Sequence, residues 1–272
     1  MLGRLDLAHR RPIAGLYAGE RRSPRFARSP EFSDFRPYTP GDDFRQIDWK
    51  AYARLERLML RLYVAEEESA LNVVIDTSAS MSMGKWPAAI RLCAALCFLG
   101  LAAMDRVAVG TLDKSNRATP HLRGRDGMGR LWNFLRSLEP SGSARPEDLA
   151  RLRWLRPGLV VVVSDFLTEE PWDSPVAAVR GRRMELVLWQ VLSPEEEDPG
   201  LSGDVKLVEV EAESARELTI TPSLLAEYRA NLEAHRERLT HASASRFVTS
   251  NSGNTLEATM LAGLKAGLVV RA

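Results

Sequence analysis

Two apolar runs that each end in a carboxylate constrain this chain more than any other feature. Leu71-Asn72-Val73-Val74-Ile75 leads directly into Asp76-Thr77-Ser78-Ala79-Ser80, and Leu159-Val160-Val161-Val162-Val163 leads into Ser164-Asp165. Short runs of this kind, rich in β-branched residues, suit strands buried on both faces, as in a parallel sheet covered by helices. If the two strands are neighbours, Asp76 and Asp165 meet at the carboxyl edge of the sheet, where open α/β folds bind their ligands. The carboxylate and two short hydroxyls of Asp76, Ser78 and Ser80 stand at alternate positions. They offer the oxygen donors that a hard cation such as Mg²⁺ prefers. The competing use of the same residues is local: Ser78 and Ser80 cap the following helix while Asp76 holds the loop through backbone hydrogen bonds.

The rest of the chain alternates in the same manner. Strands are expected at 58–64, 71–75, 106–110, 159–163, 185–192, 205–210 and 247–249, with helices at 85–104, 127–138, 146–155, 172–179, 223–239 and 256–268. This predicts an α/β fold, a doubly wound and mostly parallel sheet with helices on both faces. An irregular N-terminal arm precedes it. The division drawn from the sequence is 1–57 for the arm and 58–272 for the α/β domain. The segment 193–199, rich in glutamate and proline, reads as a solvated connection.

Charge narrows the range of functions. Lys and Arg total 37 against 36 Asp and Glu, so no overall field favours nucleic acid, and recognition of a polar partner must be local. Residues 1–30 carry seven arginines against Asp6 and Glu20, but aromatic interleaving is sparse, and a solvated or internally paired arm is the simpler reading. The start lacks a signal-peptide core, and no apolar run is long enough to span a bilayer; a cytoplasmic protein without membrane insertion is expected. Cys93 and Cys97 share one face of an apolar helix and read as small core hydrophobes.

Enzyme signatures are largely missing. There is no G-x-S-x-G, no P-loop and no G-x-G-x-x-G, and the four histidines, in an arm, a loop and an outer helix, read as solvated. The competitor that remains is Mg²⁺-dependent phosphoryl transfer, a phosphotransferase or phosphatase with Asp76 as nucleophile. Ser78 and Lys114 are weak substitutes for the second acid and the phosphate-binding lysine that such chemistry uses.

The motif Asp76-x-Ser78-x-Ser80 resembles the metal-ion-dependent adhesion site of von Willebrand factor A domains, whose fold is a doubly wound, Rossmann-like sheet. Upstream, the segment 32–54 contains Arg36-Pro37-Tyr38-Thr39-Pro40-Gly41-Asp42-Asp43-Phe44-Arg45-Gln46-Ile47-Asp48-Trp49. It is similar to the signature of the bacterial and archaeal family named domain of unknown function fifty-eight. The resemblance covers roughly residues 15–170. It implies that Ser78 and Ser80 bind Mg²⁺, with Mn²⁺ or Ca²⁺ as substitutes, and that Asp76 and Asp165 act through water. The threonine that completes such sites has no clear counterpart; Ser143, Glu147 or Asp148 stands in its loop. One open coordination position would then face an acidic group on a partner. The resemblance further implies a non-enzymatic adaptor that works with a MoxR-type AAA ATPase and its client proteins. In the signature, Arg36, Asp42, Asp43, Arg45, Asp48 and Arg54 alternate in sign around Tyr38 and Trp49, which suits an ion-pair network that fixes the arm. The alternative is a partner surface, with the turn at Gly41 presenting Asp42 and Asp43 outward.

Overall fold

The computed structural model describes residues 5–7, 31–64, 70–168, 170–182, 184–200, 203–208, 215–244, 246–267 and 269–271. The seven arginines of residues 1–30 lie outside them. The chain opens with β1 (Leu5–Leu7), β2 (Glu31–Pro37), α1 (Trp49–Leu55) and β3 (Met59–Val64). There follow β4 (Ala70–Asp76), α2 (Trp86–Ala102), β5 (Arg106–Leu112), α3 (Met128–Arg136), α4 (Pro146–Arg151) and β6 (Gly158–Ser164). The remainder is α5 (Asp173–Gly181), β7 (Glu185–Leu192), α6 (Pro194–Glu197), β8 (Gly203–Val208), β9 (Ala215–Ile220), α7 (Pro222–Ala242), β10 (Phe247–Asn251), α8 (Leu256–Lys265) and β11 (Val269–Arg271).

Backbone contacts divide the chain into two compact units, residues 10–68 and residues 1–9 with 69–272. The larger is built on a five-stranded sheet in the order β10-β7-β6-β4-β5. Every pairing in it is parallel. Alternate residues of β4 serve opposite layers, because side chains of a strand point to opposite faces. Leu71, Val73 and Ile75 pack with Leu92, Cys93, Leu96 and Cys97 of α2. Val74 belongs to the other core, with Val160, Val162, Leu188, Phe166 and Trp172. Both cysteines are fully buried, and burial raises both thiols, Cys97 to about 12, so they act as inert core residues.

Strand order places the candidate site. β4 comes first in sequence within the sheet, β5 pairs on one side of it and β6 on the other. Successive crossovers therefore leave β4 in opposite directions, which opens a crevice at its carboxyl end. Two short antiparallel pairs, β1 with β11 and β8 with β9, belong to the same unit but stand outside this sheet. The expected strand 205–210 is one half of the β8–β9 hairpin, and residues 209 and 210 lie outside the described ones. The smaller unit is an antiparallel hairpin of β2 and β3 carrying α1. Among the described residues, no helix is long and apolar enough to cross a membrane.

One position shows how closely β4 and β6 are matched. Gly158 opens β6 at φ +141°, and a Cβ there would stand 2.2 Å from the Ala70 carbonyl oxygen. Backbone cannot yield as a flexible side chain does. Gly158→Ala is expected to cost about 1–3 kcal/mol. Thermal unfolding should then show a melting temperature lower by roughly 2–4 °C per kcal/mol.

Candidate functional site

β4 delivers Asp76 to the carboxyl edge with 4% of its surface exposed. Its Oδ1 accepts the Ser78 backbone N–H at 2.7 Å, and its Oδ2 accepts the Ser164 hydroxyl from β6 at 2.5 Å. The first contact is an Asx-type turn that bends the chain away from the strand. Ser78 and Ser80 then stand with their hydroxyls 3.0 Å apart. Ser78 is the residue before the 3₁₀ turn Ala79–Ser82 and makes no side-chain cap to it; α2 likewise starts at Lys85 without a side-chain cap. Asp76 does hold the loop, but the two serine hydroxyls are not used as helix caps.

Asp165 follows β6 and is 3% exposed. Its Oδ1 accepts the Leu167 N–H at 3.1 Å, and its Oδ2 accepts a hydrogen bond from Lys85 Nζ at 2.7 Å. Lys85 is completely buried and also pairs with Glu196 of α6. Glu196 in turn closes a capping box: its Oε2 accepts the Ser193 N–H at 2.8 Å, while Ser193 Oγ accepts the Glu196 N–H at 3.2 Å. Segment 193–199 is thus not the simple solvated connection expected from its composition. Sequence reasoning missed both Lys85 and Glu196; the signal for the second was the Ser193-x-x-Glu196 spacing of a capping box.

Ser141 N–H bonds the Thr77 carbonyl at 2.7 Å and Ala79 N–H bonds the Gly142 carbonyl at 2.9 Å, so the loop that carries Ser143 is laced to the Asp76 loop. Glu147 pairs with Arg151 at 3.1 Å, and Asp148 accepts the Arg145 N–H at 3.2 Å. Both acids serve the start of α4. A further residue joins the edge: Asp113, just beyond β5, accepts the Thr77 hydroxyl at 3.0 Å. Three neighbouring strands, β5, β4 and β6, thereby end in Asp113, Asp76 and Asp165. Two of the four histidines are less exposed to water than expected: His121 Nε2 is 3.0 Å from Asn72 Oδ1, and His235 Nε2 is 2.9 Å from the Phe166 carbonyl; His241 is exposed, and His9 lies outside the described residues. Burial first, then Arg156 and Arg106, lowers His121 to about 4.

Charge at the edge is unevenly compensated. Burial, reinforced by the negative charge of Asp165, raises Asp76 to about 6, although the bonds from Ser164 and Ser78 oppose the shift. Burial pulls the Lys85 ammonium down, but Asp165 and Glu196 outweigh it and the net shift is upward. Three carboxylates therefore face one ammonium, and Asp76 is the one without a cationic partner.

The donor set fits a small hard cation in two respects. Adjacent oxygens of an octahedron with Mg²⁺–O distances of about 2.1 Å lie about 3 Å apart, which matches the Ser78–Ser80 separation. Full ionisation of Asp76, Asp165 and Glu196 against Lys85 leaves two net negative charges. Among the described residues, no three His, Cys, Asp or Glu side chains converge on one metal position, so Ser78, Ser80, Asp76 and water would supply the donors.

The signature residues lie in the smaller unit. Arg36 Nη2 meets Asp42 Oδ1 at 2.8 Å, and Asp42 Oδ2 accepts Thr39 N–H and Oγ1–H at 2.9 and 2.7 Å across the turn at Gly41, where φ is +110°. The Arg36 guanidinium, with Thr39, holds the Asp42 carboxyl well below the usual range. Asp43 accepts the Arg45 N–H at 3.0 Å, and Asp48 caps α1 through Lys50 and Ala51 N–H. Tyr38 N–H bonds the Leu58 carbonyl at 2.9 Å, and Arg54 Nε bonds the Lys50 carbonyl at 3.3 Å. Among the described residues the expected alternating network includes the Arg36–Asp42 ion pair and the caps made by Asp43 and Asp48, Asp42 turns back onto Arg36, and Trp49 is left exposed.

With the geometry established, similarity to known proteins can be set beside it. A family model described as a protein of unknown function, DUF58, matches residues 34–238. An uncharacterized protein of Mycobacterium tuberculosis is 31% identical over 220 residues, spanning 76% of this chain and 68% of the relative. One of Mycobacterium bovis matches to the same extent. Among solved structures, the conserved hypothetical protein BatB from Bacteroides thetaiotaomicron aligns over 71% of this chain and 94% of its own, with 15% identity and a TM-score of 0.43. An aerotolerance-related membrane protein from Bacteroides fragilis aligns over 73% and 98%, with 13% identity and a TM-score of 0.41.

Two outcomes follow from the electrostatics. A carboxyl that holds its proton more tightly when folded contributes stability that is full below the unfolded value near 3.8 and is lost as pH rises through about 6. Asp76→Asn removes that loss while keeping an acceptor for Ser78. The stability of Asp76→Asn minus that of wild type, measured by thermal unfolding without divalent cations, should climb between about pH 4 and about pH 7, by about 3 kcal/mol for a shift from 3.8 to about 6. Lys85→Met leaves the buried Asp165 and the partly buried Glu196 uncompensated and should cost about 3–5 kcal/mol in urea unfolding. Adding Glu196→Gln to it should recover part of that loss, since the two residues interact directly.

Proposed function

The chain belongs to the DUF58 family, and on that premise we propose that it is a non-enzymatic adaptor that grips a partner through a Mg²⁺-dependent adhesion-type site. The observation that carries this reading is the pair of hydroxyls of Ser78 and Ser80, hydrogen-bonded to each other at a spacing that also fits an octahedral edge, beside an Asp76 without a cationic partner. A bound cation would offset the Asp76 charge and leave a coordination position for a carboxylate of the partner. The chain's own residues do the rest. Ser164 and the Ser78 N–H orient Asp76, Lys85 fixes Asp165 beside it, and the contacts of 141–142 with 77–79 hold the loop that carries Ser143 against the Asp76 loop.

Binding is favoured over phosphoryl transfer by the state of the carboxylate. Both Asp76 oxygens already accept a hydrogen bond and only 4% of the residue is exposed, which disfavours nucleophilic attack on a phosphoryl group while leaving each oxygen a second lone pair for a cation or its water. Lys85, the nearest candidate for a phosphate-binding lysine, is committed to Asp165 and Glu196. We infer a MoxR-type AAA ATPase and its clients as partners, since the family resemblance points there, and a cytoplasmic setting.

Thermal unfolding in millimolar Mg²⁺ or Mn²⁺ tests the cation, because a ligand that binds only the native state stabilises it by mass action, by about 1.4 kcal/mol at ten times its Kd. A rise in wild type that is absent in Ser78→Ala/Ser80→Ala is expected. Asp76→Ala should fold but fail to retain the purified ATPase of the same genome on a column; undiminished retention would sink the clamp.

A further inference from the structure

The smaller unit carries the largest imbalance between apolar surface and core. Ile47, Asp48, Ala51 and Leu60 are buried in it, whereas Phe44, Trp49 and Leu55 are 64%, 62% and 61% exposed, and Phe35, Tyr52 and Leu58 are exposed as well. Trp49, Tyr52 and Leu55 follow at i, i+3 and i+6 along α1, so they share one side of the helix. Beside them runs a groove of about 800 Å³ whose lining includes Pro37, Tyr38, Tyr52, Leu55, Leu58 and Met59. Contiguous apolar surface of this kind marks an interaction site, and Trp, Tyr and Arg are the residues in which interface binding energy concentrates.

The charges around the face indicate what it takes. Arg45, Lys50, Arg54 and Arg57 are exposed, and among the described residues none forms an ion pair. Arg45 lies 6.0 Å from the Phe44 ring, and Arg54 reaches only the Lys50 carbonyl. Against these four stand Asp43, whose carboxylate caps the turn at Arg45, and Glu56. The aromatic rings argue against stacked bases: Trp49 and Tyr52 meet edge to face, with planes at 85° and centroids 6.2 Å apart, and much of the groove lining is aliphatic.

We propose that the exposed face of α1 and its adjoining groove dock an acidic amphipathic segment of a partner protein, with aliphatic side chains in the groove and carboxylates on Arg45, Lys50, Arg54 and Arg57. This surface is distinct from the residues at the carboxyl edge of the sheet and needs no cation. Complementary charge would speed encounter, and the aromatic and leucine contacts would set the lifetime of the complex.

Fluorescence anisotropy with the full chain tests it, using three labelled probes: an amphipathic Leu/Glu peptide, its Leu/Lys counterpart and an oligouridine of equal length. The acidic peptide is expected to bind wild type and to weaken about tenfold or more in Trp49→Ala/Tyr52→Ala and in Lys50→Glu/Arg54→Glu. Both variants should keep the wild-type melting temperature, since the replaced side chains are exposed. Failure of the acidic peptide to bind, or binding unchanged by the substitutions, overturns the proposal. Preferential binding of oligouridine through the same residues overturns it in favour of nucleic acid. A wild-type dimer in sedimentation that Trp49→Ala dissolves overturns it in favour of a second copy of the chain.

Discussion

The carboxyl edge of the sheet depends on a single buried cation. An ammonium removed from water loses several kcal/mol of solvation unless it is paired and hydrogen-bonded. Lys85 meets that condition with two carboxylates drawn from different elements, Asp165 after β6 and Glu196 in α6. Because Lys85 itself begins α2, one side chain ties a helix, a strand end and a loop to the same point. The neighbouring acids are also defined by it. Asp165 and Glu196 share a positive charge, whereas Asp76, equally buried, has only a hydroxyl and an N–H to stabilise it.

That asymmetry follows from topology. Reversal of strand order at β4 sets Asp76 directly beside the end of β6, where the Ser164 hydroxyl can reach it and Asp165 can repel it. A carboxylate held among like charges in a dry crevice favours either a proton or an added cation. The hydroxyls of Ser78 and Ser80, which cap nothing, lie where a cation could use them. Fold and charge imbalance thus have one origin in the crossover pattern.

Sequence patterning revealed what depends on continuous runs. The strands at 71–75, 159–163 and 185–192 and the helix after Lys85 were legible because β-branched and apolar residues are concentrated there, and Asp76 and Asp165 were legible as interruptions at the ends of such runs. Contacts between distant segments were not. Lys85 looks like any polar residue at a helix start, and only the fold brings it to Glu196, 111 positions away. Asp113 was obscured because its strand continues past the expected Gly110 to Leu112, so the carboxylate at the strand end went unseen. Strand β9 lacked a signal of its own, being a short mixed segment that pairs only with its immediate neighbour β8. In the signature, alternating charge suggested a chain of ion pairs, and it did not reveal that Asp43 and Asp48 also satisfy backbone N–H groups, as short acids beside helix starts commonly do.

The same helix caps bear on the exposed side of α1. A helix of seven residues does not sustain itself in water. This one is held by the Asp48 cap and by burial of Ala51 in a patch that includes Ile47 and Leu60. Trp49, Tyr52 and Leu55 remain largely outside that packing, so replacing them with polar residues would cost the fold little and would improve its solubility. Apolar side chains that cost solubility and add little to the core are explained by contact with something else. The unpaired cations around them favour a partner that brings its own carboxylates, since a protein surface of neutral or basic character would leave those charges desolvated and uncompensated.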